Sequence, residues 1–212
     1  MQMNRMPSRW KRVPRHVGVI PDGNRRWAAG RGLKKEEGYD QGIEPGFQMY
    51  RLLRELGVEE LTLYGFTTDN TKRPTVQKRA FQQACVRAVE RLSCEDAELL
   101  VVGNNNSAAF PKALLPYRMR RRFGCGGMKV NFLVNYGWDW DLHYPGGLAS
   151  AAISPIDLIL RWGGHTRLSG FLPVQSVYAD FYTLPELWPD FSEEQLWRAM
   201  GWYQTQDITR GG

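Results

Sequence analysis

The chain has 212 residues, of which 42% are hydrophobic and 24% charged, and it carries a formal charge of +6. This balance suits one globular domain with a core large enough to need no staples, and it excludes the low-hydrophobicity, high-charge class of disordered chains. The positive charge favours anionic ligands without choosing among phosphates, nucleic acid and lipid surfaces.

Taken in chain order, Arg5, Arg9, Lys11, Arg12 and Arg15 form a basic arm, expected to be flexible and solvated over residues 1–15. His16 to Ile20 is a short β-branched run stopped by Pro21, and Asp22-Gly23-Asn24 leads into a helix-compatible stretch, Arg25 to Ala29. Ile43 to Leu56 has apolar residues at helical spacing (Phe47, Tyr50, Leu53, Leu56), with Gly57 as its stop. Leu61 to Phe66 reads as a buried strand and Val76 to Leu92 as an amphipathic helix. Glu98 to Val102 and Lys129 to Val134 read as strands covered on both faces. Between them Arg118 and Arg120 to Arg122 form a second basic cluster, taken as a solvated face. Trp138 to Ser154, rich in glycine and alanine, is expected to be a loop or partly disordered. Ile156 to Leu160 is the last apolar run, and Ser192 is placed to cap a final helix ending at Tyr203, with 204–212 as a tail. This alternation predicts one α/β domain over 16–203 with a mainly parallel central sheet flanked by helices.

Cys85, Cys94 and Cys125 are an odd set without a C-x-x-C pair, so neither a disulfide framework nor a zinc site is expected and a reducing, cytoplasmic setting fits. No run approaches the roughly 18 apolar residues of a membrane span, and no signal-type segment follows the basic arm. Neither a nucleic-acid module nor an interleaved aromatic and basic platform is visible, so no nucleic-acid partner is expected; peripheral contact with a membrane stays open.

In parallel α/β sheets ligands gather beyond the carboxyl ends of the strands. Three such places are unusually polar here: Asp22 to Trp27, Thr67 to Pro74, and Arg161 to Ser169. Taken alone, the first reads as a turn in which Asp22 or Asn24 caps a helix, and the other two read as a hydrogen-bonded loop and a glycine turn with surface arginines. Together they would make a pocket with a carboxylate, amides, hydroxyls and several guanidiniums, a composition that suits diphosphates carried with Mg²⁺.

Several ordered blocks carry a specific resemblance. His16-Val17-Gly18-Val19-Ile20-Pro21-Asp22-Gly23-Asn24-Arg25-Arg26-Trp27 resembles the opening signature of cis-prenyltransferases, including undecaprenyl diphosphate synthases. Leu61 to Asn70 is similar to the T-L-Y-A-F-S-x-E-N block, Asn135-Tyr136-Gly137 to N-Y-G, Asp157 to Ser169 to D-L-x-I-R-x-G-G-x-x-R-x-S, and Trp188-Pro189-Asp190-Phe191 to W-P-D-F.

The resemblance implies a homodimer and an apolar tunnel for the isoprenoid, with allylic and homoallylic prenyl diphosphates as partners and Mg²⁺ as cofactor. Asp22 would organise the metal, and Gly23, Asn24, Arg25 and Arg26 would contact the allylic diphosphate, with Trp27 alongside. Lys35 falls at a phosphate-binding arginine position. Arg161, Arg167 and Ser169 would hold the diphosphate of the second substrate. Asn70 and Thr67, with Tyr64 nearby, would lie by the carbon that loses a proton, and Thr68, Thr71 and Arg73 complete that loop. Asp180 aligns with a metal-associated glutamate.

The departures bear on the product. Thr71 stands in place of a common tryptophan, Tyr39 in place of histidine, and His165-Thr166 in place of Glu-His. Nineteen residues separate Gly137 from Asp157, fewer than in long-chain polymerases. Gly-Gly-His-x-Arg-x-Ser also resembles the cyclolavandulyl diphosphate synthase branch. The expectation is a short, irregular or cyclised product, with Trp138, Trp140 and Trp162 closing the pocket. The alternatives are a regular cis-polyprenyl synthase, a terpene synthase acting on one diphosphate, and a non-catalytic partner subunit; retention of Asp22, Asn70, Arg161 and Arg167 argues against the last. Arg210-Gly211-Gly212 resembles a C-terminal R-x-G element that reaches a neighbouring active site.

Overall fold

A computed structural model describes residues 10–207. Its centre is a seven-stranded sheet in the order β4-β3-β5-β2-β1-β6-β7. The strands are β1 (His16–Ile20), β2 (Glu60–Tyr64), β3 (Ala97–Val102), β4 (Arg121–Arg122), β5 (Met128–Leu133), β6 (Leu158–Arg161) and β7 (Asp180–Thr183). All pairs are parallel except β3 with β4. The helices are α1 (Asn24–Gly30), α2 (Gly38–Gln41), α3 (Ile43–Glu55), α4 (Thr75–Leu92), α5 (Trp138–Leu142) and α6 (Glu193–Tyr203).

Strand alternation divides the core. Val17, Val19, Leu61, Leu63, Val130, Phe132, Leu158 and Leu160 face one way, where they meet Phe47 and Leu53 of α3, Val89 of α4 and Met200 of α6. Ile20, Tyr64, Leu100, Leu133 and Ile159 face the other way, under Ile153, Ile156, Phe171 and Leu172. That second cover is built from connecting segments and not from long helices. Burial on both faces explains why the central strands read as continuous apolar runs.

The expected strands and long helices are present, with ends shifted by one or two residues. Gly57 stops α3 at φ +82°, a conformation that favours glycine. Ser192 occupies the N-cap of α6, although its side chain makes no capping bond.

Three expectations are corrected. Trp138 to Ser154 is a loop only after residue 142: it opens with α5, and its turns are tied down because the buried Asp141 accepts from Tyr136 Oη (2.7 Å), Ser150 N (2.9 Å) and Ser150 Oγ (2.6 Å). The basic arm is docked from residue 10 onward, because Arg12 pairs with Asp180 (2.9 Å) and lies over Tyr203, while Trp10 stacks on Trp197. Arg120 is not part of a solvated face: it turns inward to donate to Asn131 Oδ1 (2.8 Å) and the Glu98 carbonyl (3.1 Å).

Arg120 closes a polar network under the amino ends of the strands. His16 Nε2 meets Thr62 Oγ1 (2.8 Å), its Nδ1 meets the Ser154 carbonyl (2.9 Å), and Asn131 donates to both Glu60 (2.7 Å) and Thr62 (2.9 Å). Burial lowers the His16 pKa from 6.5, outweighing Glu60 and Asp157, which act to raise it. The unfolded chain therefore takes up a proton near pH 6.5 that the folded chain resists, so stability falls as pH drops through and below that value. Burial alone would raise the Glu60 pKa, but His16, Asn131, Ser154 and Arg120 lower it, so its loss of stability begins lower, below about pH 4.5. Melting curves between about pH 7.5 and 5 should show a falling Tm that His16→Gln flattens. An unchanged slope in that variant would assign the acid sensitivity elsewhere.

Candidate active site

The carboxyl ends of β1, β2 and β6 open into a cavity of about 660 Å³. Pro21 ends β1, and Gly23 at φ +110° serves as the N-cap of α1 without a side-chain capping bond. This leaves the Asp22 carboxylate free of any capping duty. Its Oδ2 accepts from Arg161 Nη2 (2.9 Å), and Arg26 Nη2 lies 3.4 Å from its Oδ1. Arg161 ends β6 and is almost wholly buried, yet its Nη1 also donates to Ser169 Oγ (2.8 Å) and to the Arg167 carbonyl. One guanidinium thus ties the segment after β1 to the segment after β6. Gly163, at φ +86°, passes beneath this pair, and a Cβ there would come within 2.4 Å of Arg26 Nη2. A side chain at 163 would press on both Arg26 and Asp22.

The segment after β2 forms the facing wall. Thr67 N donates to Asn70 Oδ1 (3.1 Å) and Asn70 N donates to Thr67 Oγ1 (3.3 Å), a reciprocal cap that starts the 3-10 helix Thr68–Lys72. Arg73, at its end, donates to Tyr39 Oη (2.9 Å), and Tyr39 stacks on Phe81 of α4 with ring centroids 4.5 Å apart. Burial lowers the Arg73 pKa and raises that of Tyr39, so the pair is partly shielded from water. Tyr64 Oη donates to the Ser169 carbonyl (2.9 Å), and burial pushes its pKa upward.

The cavity therefore gathers Asp22, Gly23, Asn24, Arg25, Arg26, Lys35, Tyr39, Thr67, Asn70, Arg73, Arg161, Arg167 and Ser169. Four expected residues lie outside it. Trp27 points away along α1, its Nε1 donating to Asp190 (2.7 Å) under Arg31. Thr68 packs against Gly137, and Thr71 turns back on its own helix to donate to the Thr68 carbonyl (2.6 Å). Asp180 begins β7 opposite Leu158, three residues toward the amino end from the Arg161 and Thr183 pair, and it binds Arg12. A strand rises about 3.3 Å per residue, which sets Asp180 roughly 10 Å along the sheet from the level of Arg161. A metal site shared by Asp22 and Asp180 is therefore not assembled within the chain. The expected tryptophan wall fails as well: Trp162 is buried against Trp188 and bonded to Gln195, Trp138 packs on Gly170, and Trp140 sits under Tyr136 and Tyr144.

Tyr64 lines the cavity beside Asn70 and Thr67, and His165, Asp69 and Phe81 line it without having been assigned as site residues. His165 stands in the sequence block that pointed to Arg161, and its position after two glycines was the available signal. Phe81 gave none, since an aromatic residue at helical spacing reads as core.

Beyond Tyr39, Tyr64 and Phe81 a second, apolar pocket of about 80 Å³ runs between α3, α4 and the sheet, bounded by Ile43, Phe47, Ala84, Cys85, Ala88 and Phe132. Pro21, Asn24, Tyr39, Tyr64, Gly65 and Phe81 border both spaces. Arg91 and Glu44 pair (2.6 Å) at the far end, where Arg91 lies over the Phe47 ring. The Cys85 thiol in this wall is pushed up to about 12 by burial, so it is an inert apolar group.

A cationic cavity at the carboxyl edge of a parallel sheet, sharing a wall with a narrow apolar pocket, has a composition compatible with an amphiphilic anion. The sequence profile of the family described as "Putative undecaprenyl diphosphate synthase" matches residues 20–145 and 146–211. The chain belongs to this cis-prenyltransferase family and is a prenyltransferase. It is 34% identical over 210 residues to a tritrans,polycis-undecaprenyl-diphosphate synthase (geranylgeranyl-diphosphate specific) of Aeropyrum pernix, covering 91% of this chain and 96% of that one. It is 28% identical over 230 residues to an isoprenyl transferase of Leptospira interrogans, covering 94% and 95%. The fold matches the crystal structure of lavandulyl diphosphate synthase from Lavandula x intermedia in complex with dimethylallyl diphosphate, with TM-score 0.81, 23% identity, and 94% and 99% coverage.

Proposed function

We propose that the chain condenses two prenyl diphosphates into a short isoprenoid diphosphate, and that dimethylallyl diphosphate or a slightly longer allylic diphosphate is the electrophile. The observation that carries this reading is the Arg161 bridge, which joins Asp22 on one segment to Ser169 and Arg167 on another, so two anion-binding walls face one cavity. Arg25, Arg26 and Lys35 surround the allylic diphosphate beside Asp22, while Arg161, Arg167 and Ser169 receive the second.

The reaction breaks the allylic C1–O bond, and its electron pair leaves with diphosphate. The alkene of the second substrate attacks the resulting allylic cation, and a proton is then lost from carbon. Clustered guanidiniums stabilise the departing charge. Tyr39, Tyr64 and Phe81 keep water from the cation. Asn70 and Thr67, held by their mutual cap, line the wall where the proton departs.

Asp22 fits a magnesium ion brought in on the substrate. Mg²⁺ takes one or two carboxylates plus phosphate oxygens and water, and among the described residues no cluster of three metal-binding side chains exists to hold one unaided. Bound there, it would supply Lewis-acid neutralisation of the leaving diphosphate.

The short product is supported by the apolar pocket. Its volume of about 80 Å³ is below the roughly 150 Å³ of a cavity that accepts one benzene, so a growing chain could enter it only if wall residues such as Phe47 and Phe132 moved. A homodimer is supported by exposed apolar side chains on two adjoining segments, Trp138 and Leu142 on one and Val174 and Val177 on the other. A cytoplasmic setting is supported by three free cysteines. A second reading is regular cis elongation with isopentenyl diphosphate; the similarity to the tritrans,polycis-undecaprenyl-diphosphate synthase of Aeropyrum pernix favours it.

Product mass analysis separates the two. Dimethylallyl diphosphate alone should yield a branched or cyclic ten-carbon diphosphate. Chains beyond about twenty carbons, formed efficiently when isopentenyl diphosphate is added, would overturn the short-product reading. The proposed roles of residues 210–212 concern positions outside the described residues.

A further inference from the structure

The outer edge of the sheet carries a surface that the reaction does not use. Segment 112–123 crosses this edge, anchored from within by Leu114, Tyr117 and Phe123. On its outer side Met119 is 80% exposed and Leu115 41% exposed. Lys112, Arg118, Arg121 and Arg122 stand exposed around them. Arg121 is held over the Tyr117 and Phe123 rings, at 5.9 and 5.7 Å.

Two of the three carboxylates nearest this edge, Asp96 and Glu60, are engaged elsewhere. Asp96 accepts from Arg54 (3.1 Å) and from Cys125 N (2.8 Å), and Glu60 is 3.8 Å from the inward-turned Arg120. Glu98 stands opposite Arg122 in the strand register without forming an ion pair among the described residues. The outer face is therefore cationic with protruding aliphatic side chains. A short charged edge strand is explained by the need to block edge-to-edge pairing, but that need accounts neither for an exposed Met119 nor for the lack of paired carboxylates.

We propose that this edge docks on an anionic lipid bilayer, the cations meeting head groups while Met119 and Leu115 enter the hydrocarbon boundary. Charge complementarity selects an anionic partner, and the exposed aliphatics select a lipid surface over nucleic acid, whose recognition uses stacking rings and base-edge contacts. The surface lies at β4, separated from β1 and Asp22 by β3, β5 and β2, so substitutions here leave the cationic cavity intact.

The test is cosedimentation of the full chain with phosphatidylcholine vesicles, with or without about a third phosphatidylglycerol, at low and high salt. The expected result is salt-sensitive binding to the anionic vesicles only. The double variant Arg118→Glu/Arg121→Glu should lower the binding constant at least tenfold, and Met119→Gln should lower it measurably, both with wild-type Tm and wild-type turnover of soluble substrates. Undiminished binding by the folded double variant would place the contact elsewhere and overturn the proposal. So would absence of wild-type binding, or equal binding to pure phosphatidylcholine. Binding to a short DNA duplex as tight as to anionic vesicles would make the edge a general polyanion surface and overturn the lipid assignment.

Discussion

Asp22→Asn should lower kcat/KM at least a hundredfold, a loss of about 2.7 kcal/mol of transition-state stabilisation, while leaving the fold in place. Asparagine keeps an oxygen for Arg161 Nη2 but loses the charge. The effect is expected to be large because Asp22 faces two guanidiniums and caps no helix, so its carboxylate serves the cavity and not the local backbone. The dependence of turnover on Mg²⁺ concentration should weaken in the same variant. Retention of more than about a tenth of wild-type kcat/KM would contradict the role.

Arg161→Ala should be nearly as severe and should act chiefly on the second substrate. It removes the bonds to Asp22, Ser169 and the Arg167 carbonyl at one stroke. The KM of the nucleophilic substrate should rise at least tenfold, with kcat/KM down about a hundredfold. Arg161→Lys should restore little, because an ammonium cannot reach all three acceptors in the planar geometry of a guanidinium. Some loss of stability should accompany Arg161→Ala, since Asp22 is left with Arg26 alone at 3.4 Å. If only the KM of the allylic substrate changed, the division of the cavity into two diphosphate sites would be wrong.

How much of this was legible in the sequence depended on where the information lies. β1, β2, β3 and β5 are buried on both faces, so their apolar runs carry the signal themselves. β4 and β7 gave none: one is two exposed arginines, and the other is four half-buried residues whose pairing is set by β6. Segment 138–154 was legible only in part, because its glycines and alanines describe the loop that follows residue 142 but neither α5 nor the contacts that fix that loop. Its order comes from Asp141, Ser150 and Gln175 meeting across the chain, a long-range fact that no local pattern contains.

The candidate site was legible where its residues sit in contiguous polar blocks at strand ends, as with Asp22, Asn70, Arg161 and Ser169. It was misread where direction mattered. Trp27 and Thr71 occupy the right segments but point away from the cavity, which is set by helix phase. Asp180 occupies a right-looking position in the chain but the wrong end of its strand. The walls that border the apolar pocket, Phe81 and Phe47, were hidden because core aromatics and tunnel aromatics have the same spacing in a helix.

The most direct test of the central claim is the stoichiometry of diphosphate release. Purified protein, supplied with Mg²⁺ and dimethylallyl diphosphate, with and without isopentenyl diphosphate, should release one diphosphate for each joining of two prenyl units found in the product by mass spectrometry, whether or not the product is then cyclised. Release accompanied only by prenyl alcohols, or no release from any allylic diphosphate of five to twenty carbons, would contradict it.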